Sequence, residues 1–451
     1  MFCRNCGLLN ETDATRCVRC GGELSRWDRK SGRIILLVIA LLLAAVIGVG
    51  MLLYGMLADK TEEIPQEFPK AEQTAPVEQM ETVEIRQVLP CGNGSVAVVY
   101  TDGTVRLSGN DEFAAAVSGW TGVAKIYYRE QYIWENGADR TEISYIGLKE
   151  DGTVLTTDGS LSGWSNVKEI YDYWQGVVAV THDGRVLAEG GWEDPSFLTD
   201  LTDVDVLVPG DLQAAWGCLK KDGTVVFVSD MDGICAYMPQ WSNVKELRNS
   251  GHGFYVLKND GTVDAEIEDY FDGLTGAVMV TDWRDWIFGI SPDGQLLTHN
   301  GGSIYPNTGC MMVDEPGLPY YGEEADIRRF NQVRDIIQSF GLVILNKDGT
   351  AEHIGDCPHW EISSWKNIES IHALTNYDGD AYYLYGIQRN GSVVRNRYDW
   401  QQDEQTVEEQ YRGWQLQALY VGNGGVVGLT PEGKLVGDGI YETVDFSVFD
   451  R

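Results

Sequence analysis

One short pattern recurs nine times in this chain and constrains its fold more than any other feature. In its clearest copy, YIGLKEDGTVL at 145–155, an Asp-Gly pair lies between apolar, β-forming residues. Such a pair is the strongest short-range signal for a β-hairpin, and it predicts a type I′ turn with positive φ at both central residues. The turn residues are Asp102, Asp151, Asp183, Asp222, Asp260, Asp293, Asp348, Asn390 and Glu432. Their mean spacing of about 41 residues indicates a propeller, a solenoid or another repeat array.

The strand that precedes each turn has a fixed pattern. The residue three positions before the turn residue is always aliphatic, and the residue before that is small in six copies. The small residues are Gly147, Ala179, Cys218, Gly289, Gly386 and Gly428. Small residues at one strand position predict crowding, which we expect where inner strands converge on a central axis. We interpret Asp151 and its counterparts as residues that serve the turn through their backbone.

A second signature, with the spacing W-x-x-V-x-x-I, precedes each hairpin. It is clearest at Trp120, Val123 and Ile126, and it is repeated at 164–170. A spacing of three does not match strand alternation, so periodicity alone also allows a short helix. Because these segments are brief and bounded by turns, we favour an outer strand that is entered by a bend.

Together, the tryptophan signature and the hairpin that follows it resemble the repeat of the regulator-of-chromosome-condensation family, over about residues 83–450. The resemblance implies an all-β fold, a β-propeller that commonly has seven blades in this family. The hairpins allow up to nine units, and the shorter units are closer to the three-stranded blades of bacterial β-lactamase-inhibitory propellers. We assign the propeller to residues 83–451 and favour seven blades. We expect the terminal segment 441–449 to pair with the start of the domain and close the ring.

Residues 1–24 predict a small zinc ribbon. Cys3, Cys6, Cys17 and Cys20 form two C-x-x-C-G knuckles. Four thiolates complete the closed tetrahedral shell of a structural zinc ion and leave no open position for catalysis. The pattern resembles the short zinc ribbons at the N-terminus of many bacterial membrane proteins. A thioredoxin-like redox pair is the alternative, but nothing around the knuckles indicates a βαβ unit.

A membrane-spanning helix is predicted at 34–57. This segment contains no charged side chain, and as a helix it would extend for roughly 36 Å, enough to cross a bilayer. A cleavable signal peptide is the alternative, but the apolar run is too long and lies behind the ribbon. The preceding segment, 25–33, is basic, whereas 58–82 is an acidic tether that contains prolines. The positive-inside rule therefore places the ribbon in the cytoplasm and the propeller outside the membrane.

The net charge and the absence of common catalytic motifs limit the classes of function that we expect. The formal net charge of −34 disfavours nucleic acid as a partner, because phosphates are repelled. The sequence has no H-E-x-x-H motif, no P-loop and no G-x-S-x-G elbow, so we expect a binding protein and no enzyme.

Aromatic residues are frequent in the connections that precede the hairpins. They could stack on sugars or anchor a partner protein, whereas the alternative is that they cover core edges. The candidate ligand-binding residues are Tyr132, Trp134, Trp174, Trp283, Trp286, Tyr377 and Tyr382.

These features predict a single-pass membrane protein of bacterial type. Its extracytoplasmic propeller would bind a protein or a cell-wall glycan. Structural zinc is the expected cofactor, and the ribbon is expected to contact a cytoplasmic protein. Two alternatives stay open: a glycan-active enzyme that uses paired carboxylates at a propeller face, and a transmembrane sensor that signals through the ribbon.

Overall fold

The computed structural model describes most of residues 83–450. The positions in this range that it does not describe are 110, 136–137, 174–175, 191–194, 211–214, 230, 232–233, 250–252, 267–273, 284–285, 299–302, 305–324, 327–329, 356–359 and 376–380. The predicted ribbon with its four cysteines, the basic segment, the membrane helix and the tether lie outside the described residues and stay predictions. Within the described residues, no helix is long and apolar enough to cross a membrane, and no group of three His, Cys, Asp or Glu could hold a metal ion.

Antiparallel strands that follow one another in sequence build every sheet in the described part of the chain, where nine sheets have three or four strands. Sheets 1 to 3 contain β1 (Ile85–Pro90), β2 (Val96–Tyr100) and β3 (Val105–Ser108); β4 (Val123–Glu135), β5 (Ala138–Lys149) and β6 (Val154–Thr156); and β7 (Val167–Tyr173), β8 (Gly176–Thr181) and β9 (Val186–Gly190). Sheets 4 to 6 contain β10 (Val204–Pro209), β11 (Trp216–Lys220) and β12 (Val225–Val228); β13 (Val244–Asn249), β14 (Phe254–Lys258) and β15 (Val263–Ala265); and β16 (Met279–Trp283), β17 (Trp286–Ile290) and β18 (Leu296–Thr298).

A small pair, β19 (Ser303–Ile304) and β20 (Ala325–Asp326), precedes the last three sheets. Sheets 7 to 9 contain β21 (Val333–Gln338), β22 (Gly341–Asn346) and β23 (Ala351–Gly355); β24 (Ile368–Thr375), β25 (Ala381–Gln388), β26 (Val393–Asp399) and β27 (Glu404–Glu408); and β28 (Ala418–Gly422), β29 (Gly425–Leu429) and β30 (Leu435–Gly439). Among the described residues, helix is limited to short pieces: α1 (Ala114–Val117), α2 (Ser196–Thr199) and the 3-10 turns Ile234–Tyr237, Tyr411–Gly413 and Phe446–Phe449. The all-β prediction is confirmed, and each predicted hairpin joins the second and third strands of one sheet.

The Asp-Gly turns are not of type I′. All nine turn glycines have φ between +77° and +98°, but none of the preceding residues has positive φ. At the first turn, the N–H of Gly103 donates to the carbonyl of Tyr100 (2.9 Å), and the N–H of Tyr100 donates to the carbonyl of Thr104 (3.0 Å). This is the pattern of a three-residue loop that ends in a left-handed glycine, which also matches the twist of the flanking strands.

The aspartate side chains take part in these turns, so our interpretation that they serve only through their backbone is wrong. In the YIGLKEDGTVL copy, the backbone N–H and the hydroxyl of Thr153 both donate to Oδ1 of Asp151, at 3.0 and 2.6 Å. These bonds favour the ionised carboxyl and lower the pKa of Asp151. The residues are structural all the same, because their acceptor atoms are used within the turn.

Each Asp-Gly turn, except the last, also fastens the next sheet. The carbonyl oxygen of the turn glycine accepts from the N–H of a residue at or just before the start of the next sheet's first strand, as between Gly184 and Val204 (2.9 Å). The eight donors, at 2.8–3.0 Å, are Val123, Val167, Val204, Val244, Ala277, Val333, Ile368 and Leu416. A Cβ on Gly184 would lie 2.9 Å from the nitrogen of Val204, so glycine is needed for this approach as well as for its φ. We call this contact the glycine clasp.

The glycine clasps place the Asp-Gly turns on one face of the sheet array, the turn face. Connections between first and second strands then lie on the opposite face, the loop face.

In sheet 2, Trp120 of the signature precedes the first strand, Val123 and Ile126 lie within it, and a β-bulge explains their spacing. In sheet 2 the register shifts between Val123 and Lys125, so one extra residue lies between Val123 and Ile126. Both side chains consequently enter the same core, with exposures of 0% and 1%. Bulges at the corresponding position occur in sheets 1, 3, 4, 5, 7 and 8. The short helix that periodicity allowed does not form.

Our assignment of this strand to the outside of the sheet is also wrong. First strands of successive sheets contact one another, as β1 does with β4 and β21 does with β24, so they form the inner edge of the array. The crowding at the small residues has a different cause from the one we predicted. A Cβ on Gly147 would lie 2.8 Å from Cε3 of Trp120, so the small residue makes room for the signature tryptophan of the same sheet.

Successive sheets are joined by hydrophobic cores, and the cycle closes. Among the described residues, nine cores each contain side chains from two neighbouring sheets. One of them joins sheet 9 to sheet 1 and includes Tyr441 and Phe449. The hydroxyl of Tyr441 donates to the carbonyl of Cys91 (2.9 Å), and the hydroxyl of Tyr100 donates to the carbonyl of Phe449 (2.8 Å). The terminal segment therefore closes a propeller-like ring as predicted, but as a turn and a 3-10 helix instead of a strand.

Candidate functional site

The predicted aromatic residues that the structure describes lie near the loop face. Tyr132 and Trp134 belong to β4, Tyr382 belongs to β25, and Trp283 and Trp286 pair where β16 meets β17. Trp174 and Tyr377 lie outside the described residues. The described candidates are divided among sheets 2, 6 and 8, so strand order does not bring them into one cluster.

Tyr382 has a packing role in sheet 8. Its ring centroid lies 4.4 Å from that of Phe340 in an edge-to-face contact and 6.4 Å from that of Tyr398. It is partly buried against the core between sheets 7 and 8. This environment matches the alternative that such residues cover a core edge.

The hairpin of β4 and β5 is longer than any other first hairpin that the structure describes. β4 has 13 residues, whereas the other first strands have 5 to 8. The third strand, β6, pairs only with 146–148 of β5. Residues 129–135 and 138–144 therefore form a two-stranded ribbon, which at strand rise extends the loop face by roughly 20 Å. We call it the sheet 2 ribbon.

The base of the sheet 2 ribbon is held from both sides. Towards sheet 3, Nε of Arg129 donates to Oδ1 of Asp172 (2.8 Å). Towards sheet 1, the hydroxyl of Tyr145 donates to Oδ2 of Asp111 (2.5 Å) and lies 3.0 Å from Oγ of Ser95. Burial raises the pKa of Tyr145, so the phenol stays protonated and remains a donor. These contacts fix the position of the ribbon relative to the neighbouring sheets.

Beside this base, side chains from sheets 2 and 9 converge on a glycine of sheet 1. A Cβ on Gly92 would lie 2.9 Å from Oε2 of Glu130, 3.2 Å from Nδ2 of Asn423 and 3.4 Å from Cε1 of Tyr128. The hydroxyl of Tyr128 donates to Oε2 of Glu130 (3.3 Å). Partial burial, together with Glu130, raises the pKa of Tyr128, so this phenol also stays protonated. A carboxylate, an amide and a phenol thus meet over one backbone position.

Two glycine-rich turns form the floor at this point. One is 91–95 between β1 and β2, and the other is 422–425, which joins β28 to β29. Both contain the triplet Gly-Asn-Gly. Without bulky side chains, such turns leave backbone groups open to a ligand. Val421 and Ile440 add exposed apolar surface next to them, at 37% and 42% exposure.

A cavity of about 610 Å³ opens beside the first of these turns. It is lined by 92–94 of the turn, by 107–109 at the end of β3, and by residues of the terminal segment between 440 and 448. The hydroxyl of Ser108 donates to the carbonyl of Asp445 (2.8 Å) across this junction. The cavity thus lies where the two ends of the repeat region meet. We call the convergence at Gly92, the two turns and this cavity the seam site.

Sequence reasoning did not select Gly92, Tyr128, Glu130 or Asn423. Two signals in the sequence point to them. The Gly-Asn-Gly triplet occurs in both connections that form the floor, and the interval between the turns at Asp102 and Asp151 is longer than the mean. That longer interval contains the extended β4–β5 hairpin.

No protein-family model and no curated protein matches this chain. Among solved structures, it is similar to a computationally designed protein, with 14% identity, a TM-score of 0.34 and coverage of 79% of this chain and 96% of that one. A lectin from Burkholderia pseudomallei has 10% identity, a TM-score of 0.33 and coverage of 72% and 96%. BamB from Moraxella catarrhalis has 14% identity, a TM-score of 0.26 and coverage of 61% and 72%. The fold and the seam site therefore rest on the strands and contacts of this chain.

Proposed function

We propose that this chain is a membrane-anchored binding protein, and not an enzyme, whose extracytoplasmic domain binds a protein or a cell-wall glycan. The seam site carries this proposal. It brings a carboxylate, an amide, a phenol and exposed apolar surface to one place on the loop face, and it adjoins a cavity within the size range of ligand sites. A few polar groups among apolar surface are what fixes a ligand in place.

The extracytoplasmic domain is a β-propeller with repeats of the regulator-of-chromosome-condensation type. We take each of the nine described sheets as one blade, because nine cores join them in a single cycle. A ring of seven blades would leave two sheets outside that cycle.

The anchor and the cytoplasmic part are supported by sequence. The uncharged segment 34–57 is long enough for a membrane helix, and the basic residues before it favour a cytoplasmic N-terminus. The four ribbon cysteines suit a structural zinc ion, and the ribbon offers a surface to a cytoplasmic protein. The acidic tether holds the propeller away from the membrane.

Site-specific photo-crosslinking in intact cells tests the binding function. A photoreactive residue at Asn423 of the full-length protein should yield adducts with a protein or with cell-wall material. The same residue at Asp222, which is exposed on the turn face, is the matched control and should yield few. Equal, background-level adducts at both positions would refute the proposal. External protease added to the same cells should cut the repeat region and leave the ribbon intact, and the opposite pattern would refute the orientation.

A further inference from the structure

We infer that the ligand of the seam site is an oligosaccharide without acidic groups, which hydrogen-bonds to Tyr128, Glu130 and Asn423. The inference rests on the proposed binding function and assigns it a ligand class and a position. It depends on three features: the mixture of donors and acceptors at Gly92, the shape of the floor, and the charge of the chain.

The groups around Gly92 match the chemistry of sugar hydroxyls, which donate and accept hydrogen bonds at the same oxygen. The carboxylate of Glu130 accepts, the phenolic oxygen of Tyr128, whose hydrogen is donated to Glu130, also accepts, and the amide of Asn423 both donates and accepts. Atoms of Glu130, Tyr128 and Asn423 lie 2.9, 3.4 and 3.2 Å from the same point, the position of a Cβ built on Gly92. The three side chains are therefore close enough together to contact a single sugar ring. The ring of Tyr128 and the exposed side chains of Val421 and Ile440 offer apolar surface for the C–H faces of a sugar.

The shape of the floor disfavours an extended peptide. A peptide that adds to a sheet requires an unpaired strand edge along which its backbone can form hydrogen bonds. In the described residues, the floor consists of two tight turns, 91–95 and 422–425, instead of a strand edge. The adjoining cavity, about 610 Å³ in volume, has the dimensions of a small-ligand site.

Charge selects against acidic sugars. The chain has a formal net charge of −34, and Glu130 is one of the three side chains around Gly92. An anionic saccharide would be repelled by both, and its carboxylate would compete poorly with water for the remaining donors. Neutral and amino-bearing saccharides do not encounter this repulsion.

The test uses full-length protein in detergent micelles and three tetrasaccharides: N-acetylated chitotetraose, its deacetylated form and tetragalacturonate. Titration calorimetry should detect binding of at least one of the first two and none of the third. Glu130→Gln and Gly92→Ala should each weaken binding by about tenfold or more, because the first removes a charged acceptor and the second puts a methyl group 2.9 Å from Oε2 of Glu130 and so displaces the side chains that contact the ligand. Gly92 is not among the glycines with positive φ, so alanine introduces no backbone strain there.

Glu142→Gln is the matched control, since Glu142 lies on the same ribbon opposite Gln131 and its removal should change affinity less than twofold. Circular dichroism melting of each variant excludes loss of fold. Absence of binding by all three tetrasaccharides, or preference for tetragalacturonate, overturns the inference, whereas crosslinked adducts at Asn423 would still support the broader binding function. Saccharide binding that is insensitive to both Glu130→Gln and Gly92→Ala overturns the position of the site alone. Failure of both experiments removes the function and the inference together.

Discussion

The glycine clasp predicts that alanine is more destabilising at a turn glycine that makes the clasp than at Gly433, the glycine of the ninth turn, which makes none. In Gly184→Ala, the new Cβ lies at positive φ (+86°) and only 2.9 Å from the nitrogen of Val204. In Gly433→Ala, the new Cβ lies at a similar φ (+78°) with nothing within 4 Å. The two variants share the strain of the turn and differ only in the approach of the next sheet.

The magnitudes follow from this difference. Alanine in the left-handed region costs about 1–2 kcal/mol, which is the whole expected effect of Gly433→Ala. Gly184→Ala must also push back the start of β10 and lengthen the bond of 2.9 Å between Val204 and Gly184. Overpacking of this kind costs roughly 1–3 kcal/mol and the lost hydrogen bond about 1 kcal/mol. We therefore expect Gly184→Ala to be more destabilising than Gly433→Ala by about 2–4 kcal/mol.

Urea unfolding of the full-length protein in detergent, followed by tryptophan fluorescence, measures both variants. The unfolding midpoint of Gly184→Ala should fall well below that of Gly433→Ala, with similar slopes. If the two midpoints agreed within error, the clasp would contribute nothing beyond turn conformation, and our explanation of the repeated glycine would be wrong.

Three further predictions concern the core, acid stability and the seam. Gly147→Ala should destabilise the protein by about 2 kcal/mol, because its Cβ would lie 2.8 Å from Trp120, and Trp120→Leu should relieve most of that cost in a double-mutant cycle. Hydrogen bonds from Thr153 lower the folded-state pKa of Asp151 below its unfolded value of 3.8. The ionised carboxyl therefore stabilises the fold fully above that pH, and this stabilisation is lost as the pH falls through the folded pKa. In urea unfolding midpoints measured from pH 7 to 2, Asp151→Asn should reduce this loss of stability at low pH, which we call the acid limb. Burial raises the pKa of Cys91 to about 12, so iodoacetamide should label it slowly at pH 8, and Tyr441→Phe should speed the labelling because it removes the bond to the Cys91 carbonyl.

Each of these predictions has a control and a contrary result. A cycle in which the two core substitutions add independently would mean that Trp120 does not set the size of residue 147. For acid stability, Asp205→Asn is the comparison, and an unchanged acid limb in Asp151→Asn would count against the turn hydrogen bonds. Cys235, which is only partly buried, is the reference thiol. Labelling of Cys91 at the rate of Cys235 would show that the seam opens readily.

Much of the fold was accessible from the sequence. Seven Asp-Gly pairs, together with Asn390-Gly391 and Glu432-Gly433, predicted nine hairpins, and each hairpin joins two strands of a separate sheet. Local chemistry explains this success, because a left-handed glycine between apolar strands specifies a hairpin without help from distant residues. The same signal could not specify the turn type, since an Asp-Gly pair suits both a two-residue type I′ turn and a three-residue loop that ends in a left-handed glycine. In this chain the loop has three residues, and the aspartate side chain accepts hydrogen bonds within it.

The position of the signature strand was not accessible, because it depends on a bulge. Val123 and Ile126 are three apart, which in a regular strand puts their side chains on opposite faces. The extra residue in the bulge returns them to one core, and that core lies between two sheets. Hydrophobic periodicity depends only on the spacing of residues along the chain and does not reveal a bulge residue. The spacing of three was therefore compatible with both a helix and a strand.

The seam site was hidden from the sequence for a different reason: it exists only when the ring is closed. Every described sheet is built from consecutive strands, so no strand exchange joins the first sheet to the last. Among the described residues, Gly433 also makes no glycine clasp, and closure depends on the packing and hydrogen bonds of Tyr100, Tyr441 and Phe449. The cavity lies at this same junction, with one wall from each end of the repeat region. A ligand that contacts both walls favours the closed ring over the open one, so binding at the seam and closure of the ring must stabilise each other.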